Sequence, residues 1–325
     1  MNTKFLYVLV SGPRDIYLEQ AYVSIASLRH HMGVEAEIYI LTDTLTFDSL
    51  DEKRSSMLKG ANDIITVDLP ADLSAQNRSR ILKTSAREYI TGDFLFIDCD
   101  TIILQPLNEV DNIQADIAAC IDSHASFAEN PYREMCISHC KIIGKDISSE
   151  ADYFNSGVIY VKDSPAAHAF YKKWNENWLR GREKGVNMDQ PAFNITNIEM
   201  GYPIQSLNDI WNCEFIHGIR FLKDAKILHY LTTNSISKKN KASFILKDKY
   251  VLLKVKETGV ISDEVKICFD DPFKGIPALT SLVAGDEVYL QRSQLYMSLL
   301  NKFQFGNFAR LTSIFNFLRK LTGRK

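Results

Sequence analysis

No stretch of this chain is both long and uncharged enough to cross a bilayer. Its first apolar run, "FLYVLV", falls far short of the roughly 20 residues a spanning helix needs. No small-residue cleavage pattern follows it, so a secretory signal is not expected either. Bulk basic charge is also missing. A formal net charge of -2 over 325 residues excludes the chain-wide electrostatic footprint of a nucleic-acid binder. Cysteine is sparse: the six (Cys99, Cys120, Cys136, Cys140, Cys213, Cys268) are scattered, several in apolar runs, which speaks for reduced thiols and against a disulfide framework. In "CISHC", Cys136, His139 and Cys140 offer three ligand types without a fourth or a second spaced pair, so zinc is not expected there. Repeats and low-complexity segments are absent too. What the chain does have is 46% hydrophobic residues, enough for one large domain, or a domain with an appendage, in a cytoplasmic protein.

The apolar residues are arranged in short blocks. "KFLYVLV" is a continuous run closed by Gly12 and Pro13, the pattern of a strand buried on both faces. From Tyr17 the spacing changes: Leu18, Ala21, Tyr22, Ile25 and Leu28 recur with helical period up to Gly33. "AEIYILT", "DIITVDL" and "FLFI" read as further strands, with a helix over "RSRILKTSAREYI". Later strands fall at "ADIAACI", "SGVIYV" and "AKILHYL", and helices across "PAAHAFYKKWNENWLR" and "MDQPAFNITNI". Strands alternating with helices imply a parallel sheet covered on both faces. Beyond Asn234 the chain turns lysine-rich and less regular, which predicts a catalytic domain over 1–234 and an extension over 235–325.

The apolar run "FLFI" ends in Asp98-Cys99-Asp100. Ligands of open parallel sheets bind beyond the carboxyl ends of the strands. On an extended backbone, Asp98 and Asp100 point to one side, where they can share a hard divalent cation that also neutralises a diphosphate. In the blander alternative, one aspartate caps the next element and the other is solvated. A third ligand is available in His229 of "KILHYL", although a histidine on an apolar strand is also a common core residue. Asp189 precedes Pro191 at the opening of a helical stretch, where its charge would complement the helix dipole; with Gln190 and Asn155 it also suits sugar hydroxyls.

The ordered set "RILK", "FLFIDCDTII", "YFNSGVIYV", "NMDQPAFN", "LNDIWN" and "ILHY", from about Phe5 to Tyr230, resembles family eight of the retaining glycosyltransferases. The resemblance implies an α/β GT-A fold, a Rossmann-like, mostly parallel sheet flanked by helices, here with a C-terminal helical extension. It implies that Asp98, Asp100 and His229 bind Mn2+ or Mg2+, that Tyr17 stacks on uracil, and that Arg80 and Lys83 touch the donor. Asn155 would then reach the donor sugar, with Asp189 and Gln190 beside the anomeric carbon, while Trp211 and Asn212 fall in the acceptor region, core packing of Trp211 being an equal alternative. Two departures stand out. "SGPRD" lacks the family's acidic pair, leaving Asp15 as substitute, and "HYLTTNSISKKN" replaces the usual diphosphate clamp, leaving Lys238 or Lys239 for that work.

The implied activity is metal-dependent transfer of a hexose from a UDP-sugar, UDP-glucose or UDP-galactose, to a glycan or glycolipid acceptor in cell-surface polysaccharide or lipopolysaccharide synthesis. Two alternatives carry other outcomes: an inactive sugar-nucleotide or glycan-binding protein, and a haloacid-dehalogenase-like phosphatase, which also carries D-x-D after an apolar strand. The stretch from Tyr289 to Lys325 contains seven basic residues, among them Arg292, Lys302, Arg310 and Arg319, and no acidic one. Phe308, Leu311, Ile314, Phe315, Leu318 and Leu321 share a helical face there. That composition suits an interfacial helix, and hence peripheral attachment to the inner face of a membrane; the alternative is a C-terminal helix packed on the domain.

Overall fold

In the computed structural model, residues 1–231, 243–278, 280–283 and 285–292 are described, with positions 296, 312–314, 316–318 and 321. The first half runs β1 (Lys4–Leu9), α1 (Tyr17–Met32), β2 (Ile38–Asp43), α2 (Thr44–Asp48), α3 (Glu52–Met57), β3 (Asp63–Val67), α4 (Ala75–Thr84), α5 (Ala86–Tyr89), β4 (Phe94–Ile97), β5 (Thr101–Ile103) and β6 (Ile117–Ile121). It continues through α6 (Arg133–Ile143), β7 (Phe154–Val161), α7 (Pro165–Glu183), α8 (Gln190–Glu199), β8 (Ile204–Ser206), β9 (Cys213–Glu214), β10 (Ile227–His229), α9 (Lys249–Thr258) and α10 (Asp263–Asp270).

Seven strands form the main sheet in the order β3-β2-β1-β4-β7-β6-β8. All are parallel except β7, which runs antiparallel to both β4 and β6. The mostly parallel, helix-flanked sheet expected from the sequence is therefore present, with one reversed strand that the apolar run "SGVIYV" does not announce. Period-two burial explains why β1 reads as continuous apolar sequence. Phe5, Tyr7 and Leu9 enter the core shared with Leu18, Ile25 and Leu28 of α1, whereas Leu6 and Val8 enter the opposite core with Trp174 and Trp178 of α7.

A second, three-stranded sheet, β5-β10-β9, branches off directly after β4. The expected single helix over "RSRILKTSAREYI" is broken at Ser85 into α4 and α5. Cys136 and Cys140 are buried in the apolar cluster around α6 with Phe127 and Tyr153, and burial pushes both thiols up, Cys136 to about 12.

Residues 243–278 belong to the same compact unit as residues 1–231, so this unit runs past the boundary expected near Asn234. The physical reason is a shared core: Phe244, Leu252, Val255, Val265 and Phe269 pack with Ile102, Phe215, Leu228 and Val23. A second unit comprises the chain beyond residue 278, with α11 (Asp286–Arg292). Most of the basic apolar tail lies outside the described residues; Ile314, Leu318 and Leu321 are exposed. Among the described residues, no helix is long and apolar enough to cross a membrane.

Candidate active site

The site is assembled at the carboxyl ends of β1, β4 and β6. At the end of β4, the Asp98 amide donates to the Gly157 carbonyl of β7 at 2.7 Å, and the Thr101 hydroxyl closes back on the Asp98 carbonyl at 2.9 Å. Asp98-Cys99-Asp100 is therefore a bend between two sheets, where an extended backbone was expected. The chain must turn there because β5 leaves the main sheet to pair with β10. The bend still gathers the three candidate ligands: one atom each from Asp98, Asp100 and His229 lies within 4.8 Å of the others.

His229 reaches this point because β10 pairs antiparallel with β5, in a register that sets it opposite Thr101. Its Nε2 is 3.1 Å from Asp100 Oδ1, and its Nδ1 is 3.1 Å from Asn212 Oδ1. Burial pushes the imidazole pKa down, but Asp100 and Asp98 reverse this and leave it raised. Burial also raises the Asp98 carboxyl, with Lys83 and His229 opposing. Two carboxylates and an imidazole fixed from behind by an amide form a donor set suited to Mn2+ or Mg2+. Asp98, Asp100 and His229 would hold it.

The next layer comes from α4 and the start of α8. Arg80 and Lys83, one helical turn apart, both reach Asp189: Arg80 Nε lies 2.8 Å from Oδ1, and Lys83 Nζ 3.0 Å from Oδ2. Lys83 also lies 3.2 Å from Asp98 Oδ1, which links the two groups of carboxylates. Burial alone would raise the Asp189 carboxyl, yet Arg80, Lys83 and the Ser156 hydroxyl, 2.9 Å away, hold it well below the usual carboxylate range. It stays ionised.

Asp122, which the sequence reading passed over, ties the remaining residues together. Its Oδ1 accepts from Asn155 Nδ2 at 3.0 Å and from Gln190 Nε2 at 2.8 Å, and its Oδ2 from Asn130 at 2.8 Å. The Asn155 oxygen accepts from the Gly157 amide at 2.7 Å and from Asn212 Nδ2 at 2.9 Å. A continuous chain thus runs from Asp100 through His229, Asn212, Asn155 and Asp122 to Gln190. A signal existed: "IAACID" ends in an aspartate just as "FLFID" does. Gly157 is equally specific, since a Cβ there would stand 2.4 Å from His229 Cε1.

Tyr17 opens α1 beside this cluster, its phenol raised by partial burial and by Asp15, with Arg80 and Asp100 also acting on it. The Asp15 carboxylate is engaged by its own loop, accepting from Ser11 Oγ at 2.6 Å and the Gly12 amide at 2.7 Å. Of the two alternatives for Trp211, acceptor stacking and core packing, the structure has the second: it is buried in the core with Tyr7 and Tyr160, whereas Asn212 enters the site. Lys238 and Lys239 lie outside the described residues. Lys247, whose Nζ donates to the Leu231 carbonyl at 2.9 Å, is a described cation on which Asp100 acts.

No curated protein sequence matches the chain significantly. Among solved structures, the galactosyltransferase LgtC in complex with donor and acceptor sugar analogues is similar at 14% identity and a TM-score of 0.52, covering 81% of this chain and 99% of that one. An active-site mutant of LgtC gives 14% identity, a TM-score of 0.53 and the same coverage. At such identity the likeness shows the fold alone, and it is the GT-A fold. Residues 8–235 match glycosyl transferase family 8, over two thirds of the chain and across every β4-to-β10 element of the site. This chain is a glycosyltransferase and belongs to that family.

Proposed function

We propose that the protein transfers a hexose, with retention, from a UDP-sugar (UDP-glucose or UDP-galactose) to a glycan or glycolipid acceptor in cell-surface polysaccharide or lipopolysaccharide synthesis. The observation that carries this reading is the single hydrogen-bonded network joining Asp98, Asp100 and His229 to Asn155, Asp189 and Gln190. It couples residues suited to a diphosphate to residues suited to sugar hydroxyls. A divalent ion held by Asp98, Asp100 and His229 supplies Lewis-acid stabilisation of the leaving diphosphate. Lys83, and Lys247 at the other edge, add positive charge near the same carboxylates. Tyr17 offers a ring for the base, and Asn155 and Gln190 orient the sugar.

Asp189 is suited to orientation and electrostatics. A carboxylate clamped by Arg80 and Lys83, with a strongly lowered pKa, is a weak base and a weak nucleophile. That favours a front-face route in which an oxygen of the leaving phosphate takes the proton of the acceptor hydroxyl. The same network stands against the haloacid-dehalogenase-like alternative, as does the family match. In an inactive binding protein the donor would bind without turnover.

Peripheral attachment to the inner face of a membrane, through the basic tail, belongs to this reading and rests on sequence composition. The test is calorimetric titration of UDP with and without Mn2+ into wild type, Asp100→Ala and His229→Ala, then UDP-sugar hydrolysis. Metal-dependent binding lost in both variants, followed by turnover, is expected. UDP binding that ignores both metal and variants overturns the site, and binding without turnover of any sugar donor establishes the inactive alternative.

A further inference from the structure

A second set of metal-ligand side chains meets where α1 and α10 both end. His30 and His31 stand in the last turn of α1, and Asp270 closes α10. One ring nitrogen of each histidine and one Asp270 oxygen lie within 4.8 Å of one another. His30 Nε2 is 2.8 Å from Asp270 Oδ1, and His31 Nε2 is 3.0 Å from the Phe269 carbonyl oxygen. Consecutive helical residues project about 100° apart, so neighbouring side chains converge only when a third element draws both in. Here both rings turn to the end of α10 and meet edge to face, with centroids 4.8 Å apart.

Electrostatics favour a cation at this point, because the negative ends of two helix dipoles come together there. The donor set differs in kind from the one at β4. Two imidazoles with one carboxylate suit zinc-class ions, whereas two carboxylates with one imidazole suit harder ones. A cleft of about 610 Å³, lined by Tyr22, Arg29, His30, Val260, Ile267 and Asp270, adjoins the cluster and gives a water or small ligand access to a remaining coordination position.

We propose that His30, His31 and Asp270 form a second metal site, selective for Zn2+ or a similar divalent transition ion, that ties α1 to α10. α10 lies beyond the residues matched by the family, whereas α1 begins at the candidate donor loop. The ion therefore pins an added element to the helix on which Tyr17 is mounted.

The test is Zn2+ titration of tag-free, EDTA-stripped full-length protein in excess Mg2+, with the unfolding midpoint recorded in parallel. Zn2+ displaces Mg2+ from the Asp98, Asp100 and His229 cluster as well, so wild type is expected to take up one further equivalent, which raises the midpoint beyond the effect of the first. His30→Ala and Asp270→Asn should each weaken that binding by roughly tenfold or more and cancel the rise. Both side chains are partly exposed, so the variants should match wild type in EDTA; should either unfold, His31→Gln decides. A further equivalent bound with unchanged affinity in these variants, or no further equivalent taken up by wild type in Mg2+, overturns the proposal.

Discussion

At the scale of single residues, the candidate site depends on side chains held from behind. His229 faces Asp100 with one nitrogen and Asn212 with the other, so Asn212 holds the ring from the side away from Asp100. Asn212→Leu should weaken Mn2+ binding by roughly 10 to 100-fold, the usual effect of losing such support, while UDP measured without metal is unaffected; calorimetry checks this. Gly157→Ala should be as damaging to metal binding. The new Cβ would stand 2.4 Å from His229 Cε1 and 2.9 Å from Asn155 Oδ1, so it must drive the imidazole away. Thermal denaturation should show a loss of about 1–3 kcal/mol alongside. The pH dependence has two opposite signs. The raised His229 pKa means that its pairing with Asp100 contributes stability fully below 6.5 and loses it as pH rises through the native value. Metal binding runs the other way, because an ion must displace that proton. Mn2+ affinity should therefore climb with pH through the window above 6.5, and a titration series at several pH values reads it directly.

Residue roles were unevenly legible. Asp98, Asp100 and His229 could be picked out as candidates because apolar runs frame them, and Arg80 and Lys83 only through the family resemblance, which points to the helix before β4. Asp122 and Ser156 could not, because their significance lies in partners 33 to 68 positions away, joined only once the sheet forms.

Among the elements, α1 shows how sequence and context divide the work. Its end is written locally: Gly33 takes a positive φ of 62°, which an L side chain resists, and its amide caps the Arg29 carbonyl. Its start is made by the loop before it, where Asp15 accepts from the Tyr17 amide at 3.2 Å and Ser11 Oγ from Leu18 at 3.3 Å. That loop is gripped from two sides. Arg54 of α3 donates to Ser11 Oγ at 2.8 Å, and Lys256 of α9 donates to the Asp15 carbonyl. Lys256 also sits 3.8 Å from Glu19, a fully buried carboxylate whose pKa burial raises and Lys256 lowers. Lys256→Met should loosen the loop and leave Glu19 without its cation. Donor affinity should fall several-fold, with Lys256→Arg recovering part of it and Mn2+ binding unchanged; UDP and Mn2+ titrations separate the two. The reversed direction of β7 was beyond reach of the sequence, since a strand buried on both faces looks the same read either way.

For the whole molecule, two units with different properties are visible. The compact unit ends at residue 278, and the basic tail lies beyond it. Removing residues 289–325 should leave UDP binding and the unfolding midpoint of the compact unit unchanged while abolishing sedimentation with anionic vesicles. Equal sedimentation of the full and truncated proteins would remove the membrane half of the proposed function.

Hydrophobic period, glycine stops and aspartates at strand ends follow from neighbours along the chain. By itself, then, the sequence determined the alternating elements, the mostly parallel sheet and the pair of aspartates at the β4 turn. Tertiary structure decided the rest. It made the D-x-D a bend between two sheets, packed Trp211 in the core, drew residues 243–278 into the first unit and closed the network through Asp122. Each of these depends on which distant surfaces bury one another, and burial is a property of pairs of elements that no local stretch encodes.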